Sequence, residues 1–220
     1  MTIYGLKPTM ALSFAALLLL LGGCLSLGEG TREDTRYYAL HPMTGETSEG
    51  AMGAEAEIVV GVGPVSLPDY LNRPQMVTRV SDSEYHRAEF ARWAAPLQEN
   101  FSRVLAENLA SDLSTDRVAL FPWHGTMKVD YRVTVEVIRF DGKPGGSVHL
   151  DSRWSIIDVT GKKMLIMKRS EFSRETEGDG YGAMAEAMSE TVAALSSEIA
   201  ATIGKLDRPS PSGRSSAEKQ

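Results

Sequence analysis

The only thiol in this 220-residue sequence is Cys24, and the residues around it define a specific chemistry. Leu21-Gly22-Gly23 precedes it, so two small residues stand directly before the thiol. Small residues let an extended backbone enter a peptidase, and a cysteine thiolate is a nucleophile that can attack a lipid donor. The spacing therefore predicts cleavage before Cys24 and attachment of a diacylglycerol to its sulfur through a thioether bond.

Residues 1–23 have the organisation of an export signal. Lys7 is the only charged residue among the first nine, and residues 10–21 are almost entirely apolar. A permanent membrane-spanning helix needs roughly 20 apolar residues, so this stretch is too short to be one. Together with Cys24, the pattern resembles the bacterial lipobox, which implies a lipoprotein signal peptide. An ordinary signal peptide or a short anchor, with Cys24 incidental, is the alternative.

The residues that follow Cys24 indicate the membrane to which the protein is attached. Bacterial sorting rules usually retain lipoproteins in the inner membrane when an Asp follows the cysteine, whereas Leu25 and Ser26 follow it here. One acyl chain, at about 0.8 kcal/mol per buried methylene, binds a membrane only reversibly, but several chains make a lasting anchor. We therefore expect a lipid-anchored protein at the outer membrane, on its periplasmic face.

The composition of the mature chain excludes some classes of partner. Cleavage removes one of the 23 basic residues, Lys7, and none of the 29 acidic ones, so the mature net charge is −7. An acidic body argues against nucleic acid and against broad adhesion to anionic lipid. The length suits one domain with an apolar core. We predict a lipidated tether at residues 24–36, the domain at 37–206 and a disordered tail at 207–220.

Two segments have the periodicity of amphipathic helices. Apolar residues recur at three- and four-residue steps in residues 94–113, where Pro96 is expected in the first turn. The same spacing recurs in residues 181–206, and there we expect Met184 and Met188 in the core rather than on a binding surface.

Alternating hydrophobicity predicts the strands. The strongest pattern, residues 129–137, indicates a half-buried strand. Residues 148–158 and 164–172 are predicted to form the second and third strands of an antiparallel meander. Shorter strands are expected at 37–40, 58–62, 75–80, 84–87 and 118–121. Two helices that are apolar on one face must cover a sheet, which predicts an α+β two-layer domain with a mostly antiparallel sheet.

Outside Cys24, no combination of residues predicts catalysis. Gly61-Val62-Gly63 precedes Pro64 rather than a helix, which argues against a dinucleotide site. Asp130 and Glu136 fall on the same face of a strand, where a solvated surface is favoured over a catalytic carboxylate pair. The histidines lack the spacing of metal ligands: His41, His86, His124 and His149. We therefore predict a protein that is not an enzyme, with no cofactor and no metal.

Residues 63–75 form an unusual segment, apolar in part and stiffened by prolines at positions 64, 68 and 74. Proline lacks an amide donor, so a central strand is disfavoured here. A stiff loop loses little conformational entropy on binding and can be a docking surface. Its side chains could equally pack beneath the loop. The candidate partner-binding residues are Leu67, Tyr70, Leu71, Arg73 and Gln75.

Several sequence motifs are specific enough to indicate a family. The most specific motif is Leu67-Pro68-x-Tyr70-Leu71-x-Arg73-Pro74-Gln75. The others are Thr78-Arg79, Arg92-Trp93-x-x-Pro96-Leu97, Asn100-Phe101-x-Arg103-Val104-Leu105-x-x-Asn108-Leu109 and Phe140-Asp141-Gly142. Together these motifs resemble the auxiliary lipoproteins of ABC-type and MCE-type transport systems, the PqiC-like family, and the resemblance covers nearly the whole mature domain.

This resemblance implies an assembly role. Members of the family partner an MCE-domain protein, PqiB-like, which spans the periplasm as a tube for lipids, and an integral protein lies at the inner-membrane end. The lipoprotein would dock this tube to the outer membrane and support envelope integrity, and the resemblance makes a homo-oligomer possible. The alternative function is a lipid-binding module that carries an acyl chain itself, which requires an apolar groove of roughly several hundred Å³ between helices and sheet.

The lipidation site predicts the behaviour of a Cys24→Ala variant. Without the sulfur no thioether can form, so the variant is expected to stay unprocessed or to be released from the membrane fraction. Fractionation of envelopes and intact-protein mass spectrometry measure this result. A variant that is still lipid-modified and still sediments with envelopes would contradict the prediction.

Overall fold

A computed structural model describes residues 34–43, 58–123 and 128–206 of the chain. The predicted signal peptide, Cys24, most of the predicted tether and the predicted tail therefore lie outside the described residues. Within the described ranges the chain forms eight strands and two α-helices. The strands are β1 (Arg36–Tyr38), β2 (Val60–Ser66), β3 (Gln75–Arg79), β4 (Tyr85–Trp93), β5 (Val118–Leu120), β6 (Tyr131–Gly142), β7 (Ser147–Ile157) and β8 (Met164–Glu175). The helices are α1 (Leu97–Asp112) and α2 (Tyr181–Ile203).

The strands form two sheets. One has the order β1-β4-β3 and the other the order β5-β2-β6-β7-β8. β1 runs parallel to β4, and β2 runs parallel to β5 and β6, whereas all other neighbours are antiparallel. The predicted α+β class is confirmed, and the predicted meander is β6-β7-β8. The sequence led us to expect one sheet, because periodicity does not specify which distant strands pair.

The two helices lie on one face of the five-stranded sheet. Phe101 of α1 meets Phe140 of β6 edge to face, with ring centroids 5.3 Å apart. α2 packs on α1 and on β7 and β8, and its Met184 and Met188 are buried, as predicted. α1 begins at Leu97, so Pro96 precedes the helix instead of lying in its first turn, because the backbone of Pro96 is extended (ψ 125°).

The opposite face of β6-β7-β8 carries paired polar side chains. Arg153 contacts Glu136 at 2.8 Å, and Arg169 contacts Asp151 at 2.6 Å. Glu136 is therefore on a solvated face, as predicted. Its expected companion Asp130 is not, since Asp130 is only 4% exposed and accepts a hydrogen bond from the Val59 amide at 2.9 Å. Asp130 lies directly before β6, and its carboxylate accepts from the amide that directly precedes the neighbouring strand β2. The prediction that Asp130 lies on the solvated face was therefore wrong.

The proline-rich segment was expected to contain no central strand, but the central strand β2 includes its first residues. It continues through Pro64 to Ser66 between β5 and β6. Proline is tolerated because β5 pairs only with residues 60–62, and the register with β6 shifts between Val62 and Val65. Gly63 has a φ of 119°, and a Cβ at this position would lie 2.7 Å from that of Phe121, so only glycine fits here.

The core contact between α1 and β6 predicts the stability of a Phe101→Ala variant. Phe101 is fully buried, so its truncation leaves a cavity and should lower the free energy of unfolding by about 3–5 kcal/mol. Urea unfolding at neutral pH measures this loss. The control, Tyr37→Ala, removes a side chain from a residue that is 63% exposed and should change stability by no more than about 0.5 kcal/mol. Equal losses in the two variants would contradict the assignment of the core.

Candidate functional site

The proline-rich segment leaves β2 at Ser66 and joins β3 at Gln75 through one turn of 3-10 helix, Asp69–Leu71. The Leu71 amide donates to the Pro68 carbonyl at 2.9 Å, and the Arg73 amide donates to the Leu71 carbonyl at 2.8 Å. Proline fixes the backbone angle φ, and prolines 64, 68 and 74 do so before, at the beginning of and after this turn. The segment is therefore held in one shape by local bonds.

The five candidate residues in this segment have different surroundings. Leu71 is only 3% exposed and belongs to the core. Leu67 and Tyr70 are partly buried and pack against the core. Arg73 and Gln75 are partly exposed. The apolar members therefore hold the segment against the domain, and the polar members are the ones a partner could reach.

Tyr70 reaches a buried carboxylate, Asp141, near the end of β6. The Tyr70 hydroxyl donates to Oδ2 of Asp141 at 3.0 Å. Arg79 of β3 donates from Nε to Oδ1 at 3.1 Å and from Nη2 to Oδ2 at 3.0 Å. Arg139 donates from Nε to Oδ1 at 2.8 Å. Because Asp141 is fully buried, these contacts join the proline-rich segment and both sheets at a single carboxylate.

Electrostatics fixes the protonation states in this cluster. Burial alone would raise the pKa of Asp141, but the hydrogen bonds from Arg79, Arg139 and Tyr70 hold the pKa below its ordinary value. Burial and the nearby charge of Asp141 raise the pKa of the Tyr70 phenol. At neutral pH the carboxylate is therefore ionised and Tyr70 is a neutral hydrogen-bond donor.

Aromatic contacts extend the cluster to β4. The Tyr70 and Tyr85 rings have centroids 4.6 Å apart. The Arg79 guanidinium lies 4.6 Å from the centroid of the Tyr85 ring and donates to the Tyr85 hydroxyl. Both carboxylate oxygens of Asp141 are thus hydrogen-bonded within the fold, so this cluster is a structural centre that positions the segment.

A second group of motif residues lies on the three-stranded sheet. Tyr37, Arg92 and Gln75 are direct neighbours across β1, β4 and β3, so they share one face. Tyr38 and Trp93 point to the other face, where they pack with the core. Tyr37 is 63% exposed. We call Tyr37, Gln75 and Arg92, together with Arg73, which precedes β3 by two positions, the arginine surface.

The two arginines of this surface are unpaired within the part of the chain that the structure describes. The Nε atoms of Arg73 and Arg92 are buried and have no hydrogen-bond partner there. No ion pair joins either guanidinium to a described carboxylate. Both arginines are partly exposed, so their guanidinium groups can be reached by acceptors from another molecule.

Metal-binding side chains are scattered in the described part of the chain. Within residues 34–43, 58–123 and 128–206, no three residues among His, Cys, Asp and Glu are close enough together to hold a metal ion. His41 instead pairs with Glu186, with Nε2 and Oε2 2.7 Å apart. No helix in the same ranges has the length and apolarity needed to cross a bilayer.

The chain is similar to transport lipoproteins of known families. Residues 38–200 match the sequence pattern of the ABC-type transport auxiliary lipoprotein component. The chain is 28% identical over 186 residues to the intermembrane transport lipoprotein PqiC of Escherichia coli K12, an alignment that covers 84% of this chain and 93% of PqiC. The PqiC of Shigella flexneri gives the same values.

Solved structures share the fold. An uncharacterised protein that is 25% identical superposes with a TM-score of 0.63, covering 77% of this chain and 99% of its own. Protein XCC0632 from Xanthomonas campestris, at 14% identity, gives a TM-score of 0.60 and covers 74% of this chain and 92% of its own.

The buried carboxylate predicts how an Asp141→Asn variant behaves. The substitution leaves two guanidinium groups facing an uncharged amide, so the free energy of unfolding should fall by about 3–5 kcal/mol at neutral pH. Denaturant unfolding measures it. Glu136→Gln, which removes a carboxylate from the solvated face of the same strand, is the control and should cost no more than about 1 kcal/mol.

The pH dependence has a defined sign. Because the pKa of Asp141 is lowered in the folded state, its contribution is complete above the ordinary value of 3.8 and is lost as the pH falls through the lowered pKa. Unfolding measured between neutral and strongly acidic pH should show a smaller acid-induced loss in Asp141→Asn than in the parent. An identical acid loss in both proteins would contradict this assignment.

Proposed function

The chain belongs to the family of ABC-type transport auxiliary lipoproteins, and we propose that it is the outer-membrane lipoprotein subunit of an MCE/ABC-type intermembrane lipid transport system. The match of residues 38–200 to the family carries this proposal. The relative from Escherichia coli, named as an intermembrane transport lipoprotein, supports it. Cys24, with Leu25 and Ser26 after it, supports a lipid anchor at the periplasmic face of the outer membrane.

In this role the protein acts by assembly and carries out no catalysis. It docks a periplasmic MCE-domain protein, PqiB-like, to the outer membrane, while further components of the system lie in the inner membrane. Joining the two membranes would support lipid traffic and the integrity of the envelope. A ring of several copies would match a tubular partner.

We propose the arginine surface as the docking site for the MCE-domain partner. It contains Arg73 and Gln75 from the original five candidates, together with Tyr37 and Arg92. Leu67, Tyr70 and Leu71 support this surface from below through their contacts with the core and with Asp141. The surface offers an exposed aromatic ring and two guanidinium groups that form no ion pair with another described residue, and Tyr and Arg side chains are enriched at the centres of protein interfaces.

The partner chemistry follows from the charges. Guanidinium groups recognise carboxylates through paired hydrogen bonds, so the partner should present Asp or Glu side chains to Arg73 and Arg92. On an acidic chain, two arginines on one surface would also orient the encounter with such a partner.

Charge reversal tests this docking surface. Arg73→Glu combined with Arg92→Glu should weaken capture of the MCE-domain partner by the membrane-anchored protein at least about tenfold, because like charges would then face each other across the interface. Capture from solubilised envelopes at several partner concentrations measures the loss. This pair avoids Tyr70, whose removal would disturb Asp141.

The control carries the same charge change elsewhere. Arg117 and Lys143 are exposed, and neither forms an ion pair with another described residue, so Arg117→Glu combined with Lys143→Glu should capture the partner like the parent. Unfolding curves must show that both double variants are folded. If the two double variants bind the partner equally well, the arginine surface is not the docking site.

A further inference from the structure

A groove of about 490 Å³ lies between the ends of α1 and α2 and the beginning of β6. Tyr131 and Ile203, each 2% exposed, form part of its floor. Ile58, Leu113 and Leu206, all partly buried, form its apolar sides. Its volume lies within the range of about 300–1,000 Å³ that small-molecule sites occupy. We call it the helix-end groove.

The neighbouring parts of this chain are poorly suited to fill the helix-end groove. Residues 44–57 precede Ile58, and they contain four glutamates and one large apolar side chain, Met52. Residues 207–220 follow Leu206 and contain no large aliphatic or aromatic side chain. An apolar groove is stabilised by apolar contact, and these two adjoining segments offer little of it.

The rim of the groove has one charge of each sign. Asp112, at the end of α1, accepts a hydrogen bond from the Ser197 hydroxyl at 3.0 Å. Lys205, just beyond α2, also lines the groove. No ion pair within the described residues involves Asp112 or Lys205, either with each other or with a third group.

Asp112 is exposed at the rim, so a ligand can reach its carboxylate. Partial burial raises the pKa of Asp112, and the hydrogen bond from Ser197 offsets only part of this effect. A ligand cation could pair with this carboxylate. A ligand anion would in the same way pair with the Lys205 ammonium.

We propose that the helix-end groove binds an acyl chain of a zwitterionic phospholipid, with the phosphate at Lys205 and the primary amine of the head group at Asp112. An apolar cleft with one exposed charge of each sign on its rim matches a molecule that joins a hydrocarbon chain to a phosphate and an ammonium. The choice of a phospholipid rests on the proposed transport function, whereas the groove and its charges do not.

A second groove provides the comparison. It has a volume of about 520 Å³ and is bordered by Pro64, Ala95 and Phe121 together with polar side chains of α1, including Gln98 and Glu99. Ala95 and Ala201 are both exposed and each lines one of the two grooves. Substituting tryptophan at either position therefore fills one groove and leaves the other unchanged.

Photo-labelling tests the proposal. The probe is phosphatidylethanolamine with a diazirine on one acyl chain, present in phosphatidylcholine vesicles that hold the full lipidated protein. Peptide mass spectrometry should find the adduct on peptides that line the helix-end groove. Ala201→Trp should reduce this adduct at least about tenfold, whereas Ala95→Trp should leave it within about twofold of the parent. Equal labelling of both variants, or loss only in Ala95→Trp, overturns the proposal.

The head group is tested with a second probe, phosphatidylglycerol that carries the same diazirine chain. Asp112→Asn should lower labelling by the ethanolamine probe but not by the glycerol probe, since only the first has an amine. Lys205→Met should lower labelling by both probes. If the parent takes up both probes equally and Asp112→Asn changes neither, the zwitterion assignment is wrong.

Capture of the MCE-domain partner, measured on the same preparations, separates this inference from the proposed function. An unlabelled groove in a protein that still captures the partner overturns the lipid site alone. Groove labelling in a protein that captures no partner overturns the docking function and supports the lipid site.

Discussion

The carboxylate of Asp141 lies fully buried where the proline-rich segment and the two sheets meet. Removing a carboxylate from water costs several kcal/mol, so such a group is retained only when donors surround it. Here Arg79 supplies a two-point contact, and Arg139 and Tyr70 complete the shell. The carboxylate of Asp141 therefore ties β3 to β6 and holds the segment that links β2 to β3, in addition to the apolar contacts that these residues make with the core.

This constraint explains how a loop can present a fixed surface. Tyr70 is hydrogen-bonded to Asp141, and Leu71 is buried beneath the same turn. Arg73 and Gln75 therefore come directly after a part of the backbone that is held in place. A surface that is ordered before binding loses less entropy when a partner arrives. The helix-end groove is built differently, from the ends of two helices, so the proposed docking surface and the proposed lipid site use separate parts of the fold.

Local patterns in the sequence predicted local structure well. The apolar stripes placed α1 and α2, and the alternation in residues 129–137 placed β6, because these signals depend only on near neighbours. The separation into two sheets was not predicted, since it depends on β1 pairing with β4 across more than 50 residues of chain. Asp130 was misassigned for a related reason: its partner, the Val59 amide, is 71 positions away.

The candidate site was only partly predictable. Tyr70, Thr78-Arg79 and Phe140-Asp141-Gly142 were all recognised as motifs, yet nothing in their spacing joins Tyr70 to Asp141, which is 71 residues further along the chain. The one available signal was a carboxylate beside Phe140 in a strand, where a charged residue needs partners. Arg92 belongs to one of the sequence motifs, but only the register between β1, β4 and β3 places it beside Gln75.

The central claim is that the arginine surface faces a periplasmic MCE-domain protein while the lipid anchor holds the chain at the outer membrane. Site-specific photo-cross-linking in intact cells tests it most directly, with the cross-linking residue at Gln75 and, for comparison, at Arg153 on the far face of the five-stranded sheet. The account predicts an adduct with the MCE-domain protein from position 75 and none from position 153, recovered with outer membranes. Adducts of equal yield from both positions, or an adduct from position 153 alone, would contradict it.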